Sequence, residues 1–272
     1  MKKILIFGGN RFVGELISQR LKSLEFNVDV FNRSGTRADY GINIIQGDRN
    51  NQEDINKIDF EKYYAIIDMC LYKPSQFELI KDLISTKTNY IFVSSGAADK
   101  RYVESFGDYG RDKLEIEDVL KSTDINFDII RPSYIVGENS HRPRLKYFID
   151  KLASKEVIEV GGDGKNKINI VYQDDVVKVL ENLVLRNSPK RKTYNVSGDK
   201  SWSVMNLISI TQEKFFYDTH KAKVAHNKSD SIFGEFDFEL DNSDVKKELE
   251  IEFTDIGDIL DKVWDDLVWF GT

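Results

Sequence analysis

Residues 3–21 read KILIFGGNRFVGELISQRL, an apolar run that leads into a glycine-rich turn and then into a helical pattern. Residues 4–7 are apolar without interruption, as expected of a parallel strand that is buried on both faces. From residue 13 onward the apolar residues recur at intervals of three and four, which is the spacing of one helix face. The stretch therefore predicts a strand, a tight turn and a helix, the opening of a βαβ unit.

The same alternation continues through the first half of the chain. It predicts strands at 3–7, 28–31, 43–45, 65–69, 90–94 and 127–131, and helices at 12–24, 51–58, 75–85 and 109–121. Right-handed crossovers then require a parallel sheet that is covered on both faces. After residue 132 the pattern is less regular, with short strands at 157–160, 168–172, 193–196, 222–225 and 236–240.

We therefore predict an α/β fold, a doubly wound parallel sheet of the Rossmann type with a smaller α/β C-terminal lobe. The dinucleotide-binding domain is expected at 1–137 plus about 172–197. The substrate-binding lobe is expected at about 138–171 and 198–272. Ligands are expected in the cleft between the two.

Composition excludes several classes of protein. Forty per cent hydrophobic residues in 272 exclude a disordered chain, and a net charge of −7 argues against a general nucleic-acid binder, DNA included. A lone cysteine, Cys70, excludes an internal disulfide, and three histidines give no metal constellation. No stretch approaches the roughly 18 apolar residues of a membrane span. We expect a cytoplasmic protein without a metal or a membrane partner.

The turn after the first predicted strand has the composition of a dinucleotide-binding loop. Glycines let the backbone turn sharply and approach a pyrophosphate, whose charge is stabilised at the helix N-terminus. The last glycine of the turn lets the helix and the strand pack closely. The cofactor-binding residues predicted here are Gly8, Gly9, Asn10, Arg11, Phe12, Val13 and Gly14.

The end of the second predicted strand bears on the choice of dinucleotide. An acid there would bind the ribose 2′-hydroxyl, whereas an arginine accommodates a 2′-phosphate. The chain has Asn32 and Arg33 at this point, and Arg11 is expected nearby. This favours NADP as cofactor, with NAD still open. Asp48, after the third strand, is a candidate acceptor for the exocyclic amine of adenine.

Tyrosine and lysine four residues apart share one face of a helix. The lysine ammonium can then lower the pKa of the tyrosine phenol from its usual value of about 10. A tyrosine so placed can act as a general acid or base. Three such pairs occur, Tyr109/Lys113, Tyr147/Lys151 and Tyr217/Lys221. Only the first begins the helix between the fifth and sixth predicted strands, near the carboxyl edge of the sheet where ligands bind. The other two lie beyond the predicted nucleotide domain. Ser95, after the fifth strand, places a hydroxyl at the same edge for a substrate carbonyl or alcohol oxygen.

Taken together, these motifs resemble the extended, or closely related atypical, short-chain dehydrogenase/reductases. The resemblance rests on 8–14, Ser95, 109–113 and 131–133, and its nucleotide-sugar epimerase/dehydratase branch also matches at 161–164, 174–175 and 194–196. The resemblance implies that Tyr109 is the general acid/base, that Lys113 lowers its pKa and holds the cofactor ribose, and that Ser95 binds the reacting oxygen.

The same resemblance implies further contacts. Arg131 and Pro132 would border the nicotinamide, and the second lobe would hold the nucleotide of a nucleotide-sugar substrate. His141, Arg142 and Arg144 are candidates for binding the diphosphate of the substrate. The alternative is that they are basic residues of the surface without a ligand. A homodimer through residues 75–85 and 109–121 is expected by resemblance alone.

The chain departs from the family pattern at three points. Arg11 replaces the middle glycine of the loop, as in an atypical subgroup that includes members with altered catalysis and members that bind RNA. The segment between Ser95 and Tyr109 is short. Gly96 and Ala97 stand where a sugar 4,6-dehydratase would have an Asp-Glu pair, so dehydration is the least expected reaction.

The leading hypothesis is therefore an NADPH-dependent reductase of a nucleotide-linked 4-keto sugar. The first alternative is a 4-epimerase that retains its NAD, and a small non-sugar ketone is also open as substrate. The alternative from another class is a non-catalytic regulatory protein that associates with a dinucleotide or with RNA.

Overall fold

The computed structural model describes residues 2–35, 41–138, 140, 142, 144–186, 188–217, 222–227 and 232–270. The chain divides into two compact units. The first unit comprises Met1–Pro132, Asp174–Val196 and Ser243–Ile251. The second unit comprises Ser133–Gln173, Ser197–Asn242 and Glu252–Thr272.

Strands and helices alternate over most of the chain. The strands are β1 (Lys3–Phe7), β2 (Asn27–Asn32), β3 (Asn43–Gln46), β4 (Ala65–Asp68), β5 (Asn89–Val93), β6 (Phe127–Pro132), β7 (Tyr134–Val136), β8 (Val157–Gly161), β9 (Lys167–Tyr172), β10 (Thr193–Val196), β11 (Ser201–Ser203) and β12 (Lys223–Asn227). The helices are α1 (Val13–Ser23), α2 (Gln52–Ile55), α3 (Pro74–Glu78), α4 (Gly107–Ser122), α5 (Arg144–Ala153), α6 (Gln173–Leu185), α7 (Val204–Phe215), α8 (Ser243–Leu249) and α9 (Ile256–Phe270). Over the described residues, no helix has both the length and the apolar content that crossing a bilayer requires.

The first unit is built on a seven-stranded sheet in the order β10-β6-β5-β4-β1-β2-β3. Every neighbouring pair of its strands is parallel. The chain runs outward from β1 to β3 and then restarts at β4, on the other side of β1. The carboxyl ends of β1 and β4 therefore flank the point where the strand order reverses, which is where open α/β sheets bind ligands. The predicted doubly wound parallel sheet is confirmed.

The sheet is buried on both faces, as the uninterrupted apolar strands require. All residues of β4 and β5 are buried, as are the last four of β1. On one face Leu5, Ile66 and Phe92 belong to the same buried cluster as Ile116 and Leu120 of α4. This packing fixes the face of α4 that is turned toward the sheet.

The helix predicted at 75–85 is interrupted. α3 ends at Glu78, and a separate 3₁₀ turn follows at Lys81–Leu83. The reason is the backbone at Ile80, whose φ of −121° leaves the helical region. Ile80 is fully buried. Its apolar spacing from Phe77 is helical, so the pattern alone does not reveal the break.

The second unit contains a three-stranded sheet in the order β11-β9-β7 and a two-stranded sheet of β12 and β8. The strand predicted at 236–240 is wrong, because only Phe238 forms a bridge, to Ile168. At Leu240 the backbone N–H donates instead to the side chain of Asn169, at 2.7 Å. Beyond the bridge at Phe238, the side chain of Asn169 thus accepts the hydrogen bond that a neighbouring strand would accept in a sheet.

Residues 243–251 belong to the first unit, although the sequence reading placed all of 198–272 in the second lobe. Val245 is fully buried. Glu248 of α8 accepts hydrogen bonds from the Tyr194 hydroxyl at 2.9 Å and from Lys190 at 3.1 Å. Both partners lie on or beside β10, so this short helix covers the edge of the main sheet.

Candidate active site

The turn after β1 is closed by contacts that only glycine permits. Gly8 has a φ of +88°, in the region that side chains rarely adopt. A Cβ on Gly14 would lie 2.1 Å from the carbonyl oxygen of Gly8. The start of α1 therefore packs directly on the turn, and its N-terminal N–H groups lie where an anion is stabilised. The residues fit the pyrophosphate of a dinucleotide.

The turn after β1 is hydrogen-bonded to the end of β2. Asn32 donates from Nδ2 to Oδ1 of Asn10 at 2.8 Å. The Oδ1 of Asn32 accepts from the backbone N–H of Gly35 at 2.7 Å and from the Ser34 hydroxyl at 3.1 Å. Asn32 thus joins the glycine-rich turn to the segment that was expected to recognise the ribose.

The predicted phosphate clamp and the predicted adenine contact lie at the neighbouring strand ends. Arg11 and Arg33 are exposed. A hydrogen bond from the backbone of Asn50 lowers the pKa of Asp48, and the Arg33 guanidinium lowers it further. Arg33 and Asp48 line a surface cavity of about 380 Å³, together with Gln46, Gly47, Asp54 and Lys57.

The three predicted catalytic residues lie after β5 and on α4. Ser95 caps the 3₁₀ turn Gly96–Ala98, its hydroxyl accepting from the N–H of Ala97 at 3.2 Å. A Cβ on Gly110 would lie 2.7 Å from the carbonyl oxygen of Ala97, so α4 packs closely on that turn. Tyr109 is 42% exposed at the start of α4.

Lys113 is enclosed by backbone and aromatic rings. It is 1% exposed, and its Nζ donates to the carbonyl oxygen of Val93 at 3.1 Å. The same Nζ lies 6.0 Å from the centroid of the Tyr109 ring and 4.8 Å from that of Phe92. Burial lowers the pKa of Lys113 to about 8, against the opposing effect of the Asp68 carboxylate. The Tyr109 and Lys113 side chains are thus neighbours, as the helical spacing predicts.

Beneath this pair lies a buried carboxylate that the sequence reading missed. Glu117 is fully buried and accepts a hydrogen bond from the Ser94 hydroxyl at 2.7 Å. Arg131 adds a bidentate pair at 2.8 and 2.7 Å, and Lys121 donates at 3.0 Å. Arg131 is therefore a partner of α4 at the end of β6, where Pro132 is the last residue of the strand. The sequence contained a signal for this residue, because Glu117 lies four residues after Lys113 and therefore on the same helix face.

A second buried ion pair lies at the end of β4. Arg49 and Asp68 form two hydrogen bonds of 2.7 and 2.9 Å, and the Tyr90 hydroxyl donates to Asp68 at 2.9 Å. Burial and the Asp68 carboxylate raise the pKa of Tyr90 well above its usual value. Asp68 ends an otherwise apolar strand, which indicates that a basic partner is required, because a buried carboxylate is rarely left unpaired.

In the second unit, Arg144 has packing partners. Its guanidinium lies 4.7 Å from the ring centroid of Tyr134, and its Nε donates to the carbonyl oxygen of Ile232 at 3.1 Å. Burial lowers its pKa to about 10. The expected diphosphate contact therefore has less support at Arg144 than at Arg142, which is exposed. His141 lies outside the described residues.

Of the other two tyrosine–lysine pairs, Tyr147/Lys151 and Tyr217 belong to the second unit. On α5, Lys151 pairs with Glu156, and the Tyr147 hydroxyl accepts from the backbone N–H of Glu159 at 3.0 Å. Both contacts lie at the surface of the second unit. Of the third pair, Lys221 lies outside the described residues.

A comparison with known proteins yields one family and several relatives. Residues 85–197 match the model of the NAD dependent epimerase/dehydratase family, a range that contains Ser95, Tyr109 and Lys113. The chain is 25% identical over 225 residues to the chloroplast stem-loop binding protein of 41 kDa b from Arabidopsis thaliana. That match covers 73% of this chain and 59% of the relative, so the chain spans little more than half of the relative's length.

Solved structures agree with the fold over the whole chain. The UDP-glucose 4-epimerase of Thermotoga maritima, solved with UDP-glucose, is 15% identical with a TM-score of 0.80, covering 99% of this chain and 100% of that one. The dTDP-glucose 4,6-dehydratase of Bacillus anthracis, solved with NAD, is 12% identical with a TM-score of 0.78, covering 100% and 97%. At these identities the likeness establishes the fold. Residues 85–197 of this fold are similar to the NAD dependent epimerase/dehydratase family.

Proposed function

We propose that the protein is an NAD(P)-dependent oxidoreductase that acts on a nucleotide-linked sugar. The observation that carries the proposal is the buried Lys113 ammonium beside the half-exposed Tyr109 ring, at the carboxyl edge of the sheet. The family match over the segment that contains both residues supports it. The glycine turn and the N-terminus of α1 supply a fitting site for the dinucleotide on the same edge.

Each residue has a defined part in the proposed reaction. Tyr109 donates a proton to the keto oxygen, while the bound nicotinamide supplies the hydride. With a pKa of about 8, Lys113 is mostly protonated at pH 7, so that its charge stabilises the phenolate that Tyr109 becomes. Ser95 holds the reacting oxygen by a hydrogen bond. Arg142 binds the substrate diphosphate, a role also proposed for His141.

We further propose that the reaction is the reduction of a 4-keto sugar with NADPH. β2 ends in Asn32 and is followed by Arg33, so in the described part of this strand end, up to residue 35, no carboxylate is available for the ribose 2′-hydroxyl. The charge of Arg33 acts on Asp48 across the cavity that both residues line. The alternative is an epimerase, which would keep NAD tightly bound through its catalytic cycle.

The first test is the binding of NADPH and of NADH to the purified protein, followed by fluorescence, with the sample checked for retained nucleotide. We expect reversible binding with a preference for NADPH of about tenfold, since one phosphate–arginine contact is of the order of a charged hydrogen bond. Retained NAD would favour the epimerase. If neither dinucleotide binds, the proposed function is wrong.

The second test compares Tyr109→Phe with a matched variant, Tyr147→Phe, which removes a hydroxyl from the same motif on α5. Both are assayed for NADPH oxidation with nucleotide-linked 4-keto sugars. Loss of a general acid costs about 100-fold or more in turnover. We expect that loss for Tyr109→Phe with unchanged cofactor binding, and native turnover for Tyr147→Phe.

A second candidate function is that of a stem-loop RNA-binding protein. It is favoured by the likeness to the chloroplast stem-loop binding protein. The net charge of −7 opposes it, because RNA binding depends on a basic surface. For such a protein Tyr109→Phe would have no effect.

A further inference from the structure

Residues 68–72 run alongside the glycine-rich turn after they leave β4. The backbone N–H of Met69 donates to the carbonyl oxygen of Phe7 at 3.0 Å. A Cβ on Gly8 would lie 3.3 Å from the Cβ of Cys70 and 3.4 Å from that of Met69. The start of this segment therefore forms one side of the turn that we propose as the pyrophosphate site.

The other end of the segment reaches Lys113. The Nζ of Lys113 lies 5.1 Å from the centroid of the Tyr72 ring, closer than the 6.0 Å to Tyr109. Such a distance allows a cation–π interaction. Five residues of chain thus connect the surroundings of the glycine turn with those of the catalytic pair.

Tyr72 is held in this place by its neighbours. Its backbone N–H donates to the side chain of Gln76 at 2.9 Å. The next residue, Lys73, forms an ion pair of 2.5 Å with Asp112, which lies next to Lys113 on α4. Even so, half of Tyr72 is exposed. An aromatic side chain in a fixed position with an open surface is suited to stacking on a ring of a ligand.

We propose that Tyr72 is a cofactor-contacting residue that packs against the nicotinamide riboside half of the dinucleotide. The inference rests on the proposed function, because it takes the glycine turn as the pyrophosphate site and Lys113 as the ribose contact. A dinucleotide that spans these two points passes along residues 68–72, and Tyr72 is the large side chain at the Lys113 end. The aromatic ring makes the contact, and the hydroxyl is not required.

The experiment compares two ligands on the full chain. NADH carries the nicotinamide riboside and ADP lacks it, so their dissociation constants separate the two halves of the site. The variants are Tyr72→Ala and Tyr72→Phe, with Tyr217→Ala as a matched control, because Tyr217 is 80% exposed in the second unit. ADP binding also reports whether each variant is folded.

We expect Tyr72→Ala to weaken NADH binding about tenfold, the size of one aromatic contact, and to leave ADP binding unchanged. Tyr72→Phe and Tyr217→Ala should bind both ligands as the native chain does. Native NADH affinity in Tyr72→Ala, or an equal loss for ADP, would overturn the inference while the proposed function stands. If the native chain binds neither of these ligands and does not bind NADPH either, both proposals fall together.

Discussion

Lys113 is an amino group placed where burial opposes its charge. It is 1% exposed, and one carbonyl oxygen accepts its hydrogen bond at 3.1 Å. Removing an ammonium from water is unfavourable, and the pKa of about 8 expresses that cost. A buried lysine whose loss of hydration is unfavourable fits a functional role more than a structural one.

We predict that Lys113→Met raises the stability of the protein at pH 7, by on the order of 1–3 kcal/mol. The folded-state pKa of Lys113 is depressed, so the unfolded chain binds the proton more tightly between pH 8 and about 10.5. The native chain therefore gains stability relative to the variant as the pH rises through this window. Urea unfolding of both chains at about pH 7 and pH 9.5 measures the difference, and a difference independent of pH would contradict the prediction.

At the scale of the element, α4 joins Tyr109 and Lys113, the proposed catalytic pair, to the sheet. Tyr109, Lys113 and Glu117 follow each other at intervals of four and share one face. Glu117 is bonded to Ser94, next to Ser95, and to Arg131 of β6. Together with the apolar packing of Ile116 and Leu120, this buried carboxylate fixes the face of α4 that is turned toward the sheet.

Removing that carboxylate should be costly. Glu117→Ala leaves the Arg131 guanidinium and the Ser94 hydroxyl without their acceptor, and breaking a buried pair at one partner costs about 3–5 kcal/mol. We expect a fall of that size in the free energy of unfolding, measured by urea titration. The double variant Glu117→Ala with Arg131→Met should recover part of it, because no unpaired charge is left. A loss below about 1 kcal/mol would show that the pair is not a main support of α4.

At the scale of the molecule, the first unit is assembled from three separate stretches of chain. In the last of them, Ser243–Ile251, Glu248 accepts hydrogen bonds from Tyr194 and Lys190 of the second stretch. Hydrogen bonds from Lys192, Tyr194 and Lys190 lower the pKa of Glu248 to about 2. A charged network of this kind connects residues more than 50 positions apart in the sequence.

We predict that Glu248→Gln lowers the stability near neutral pH by about 1 kcal/mol, the upper range of partly exposed ion pairs. Because the folded-state pKa is depressed, the contribution of Glu248 is complete above its usual pKa of 4.5 and is lost as the pH falls toward 2. The difference in melting temperature between the two chains should therefore be largest near pH 6, shrink as the pH falls to about 2 and vanish below it. A difference that persists at the acid end would point to packing and not to charge.

The charge of the whole molecule also bears on its partners. With 46 acidic against 39 basic residues, binding to a stem-loop RNA should be weak at about 0.15 M salt and should change little as salt is lowered. A gel-shift titration with a hairpin RNA at two salt concentrations tests this. Tight binding with a steep salt dependence would favour the RNA-binding candidate over the oxidoreductase.

The sequence by itself determined the sheet of the first unit, the glycine turn and the pairing of Tyr109 with Lys113. These features depend on local spacing, since apolar runs make buried strands and an interval of four places two side chains on one helix face. The sequence also shows that β2 ends without an acidic residue. The roles of these residues in catalysis and cofactor choice stay predictions.

Only the tertiary structure decided which distant side chains meet. The pair of Glu117 with Arg131 joins residues 14 positions apart, on α4 and β6. The pair of Arg49 with Asp68 joins residues 19 positions apart, in the connection after β3 and on β4. The position of Tyr72 beside Lys113 likewise depends on the adjacency of β4 and β5 in the sheet. Such contacts follow from strand order and from the need of buried charges for partners, and neither is expressed in local periodicity.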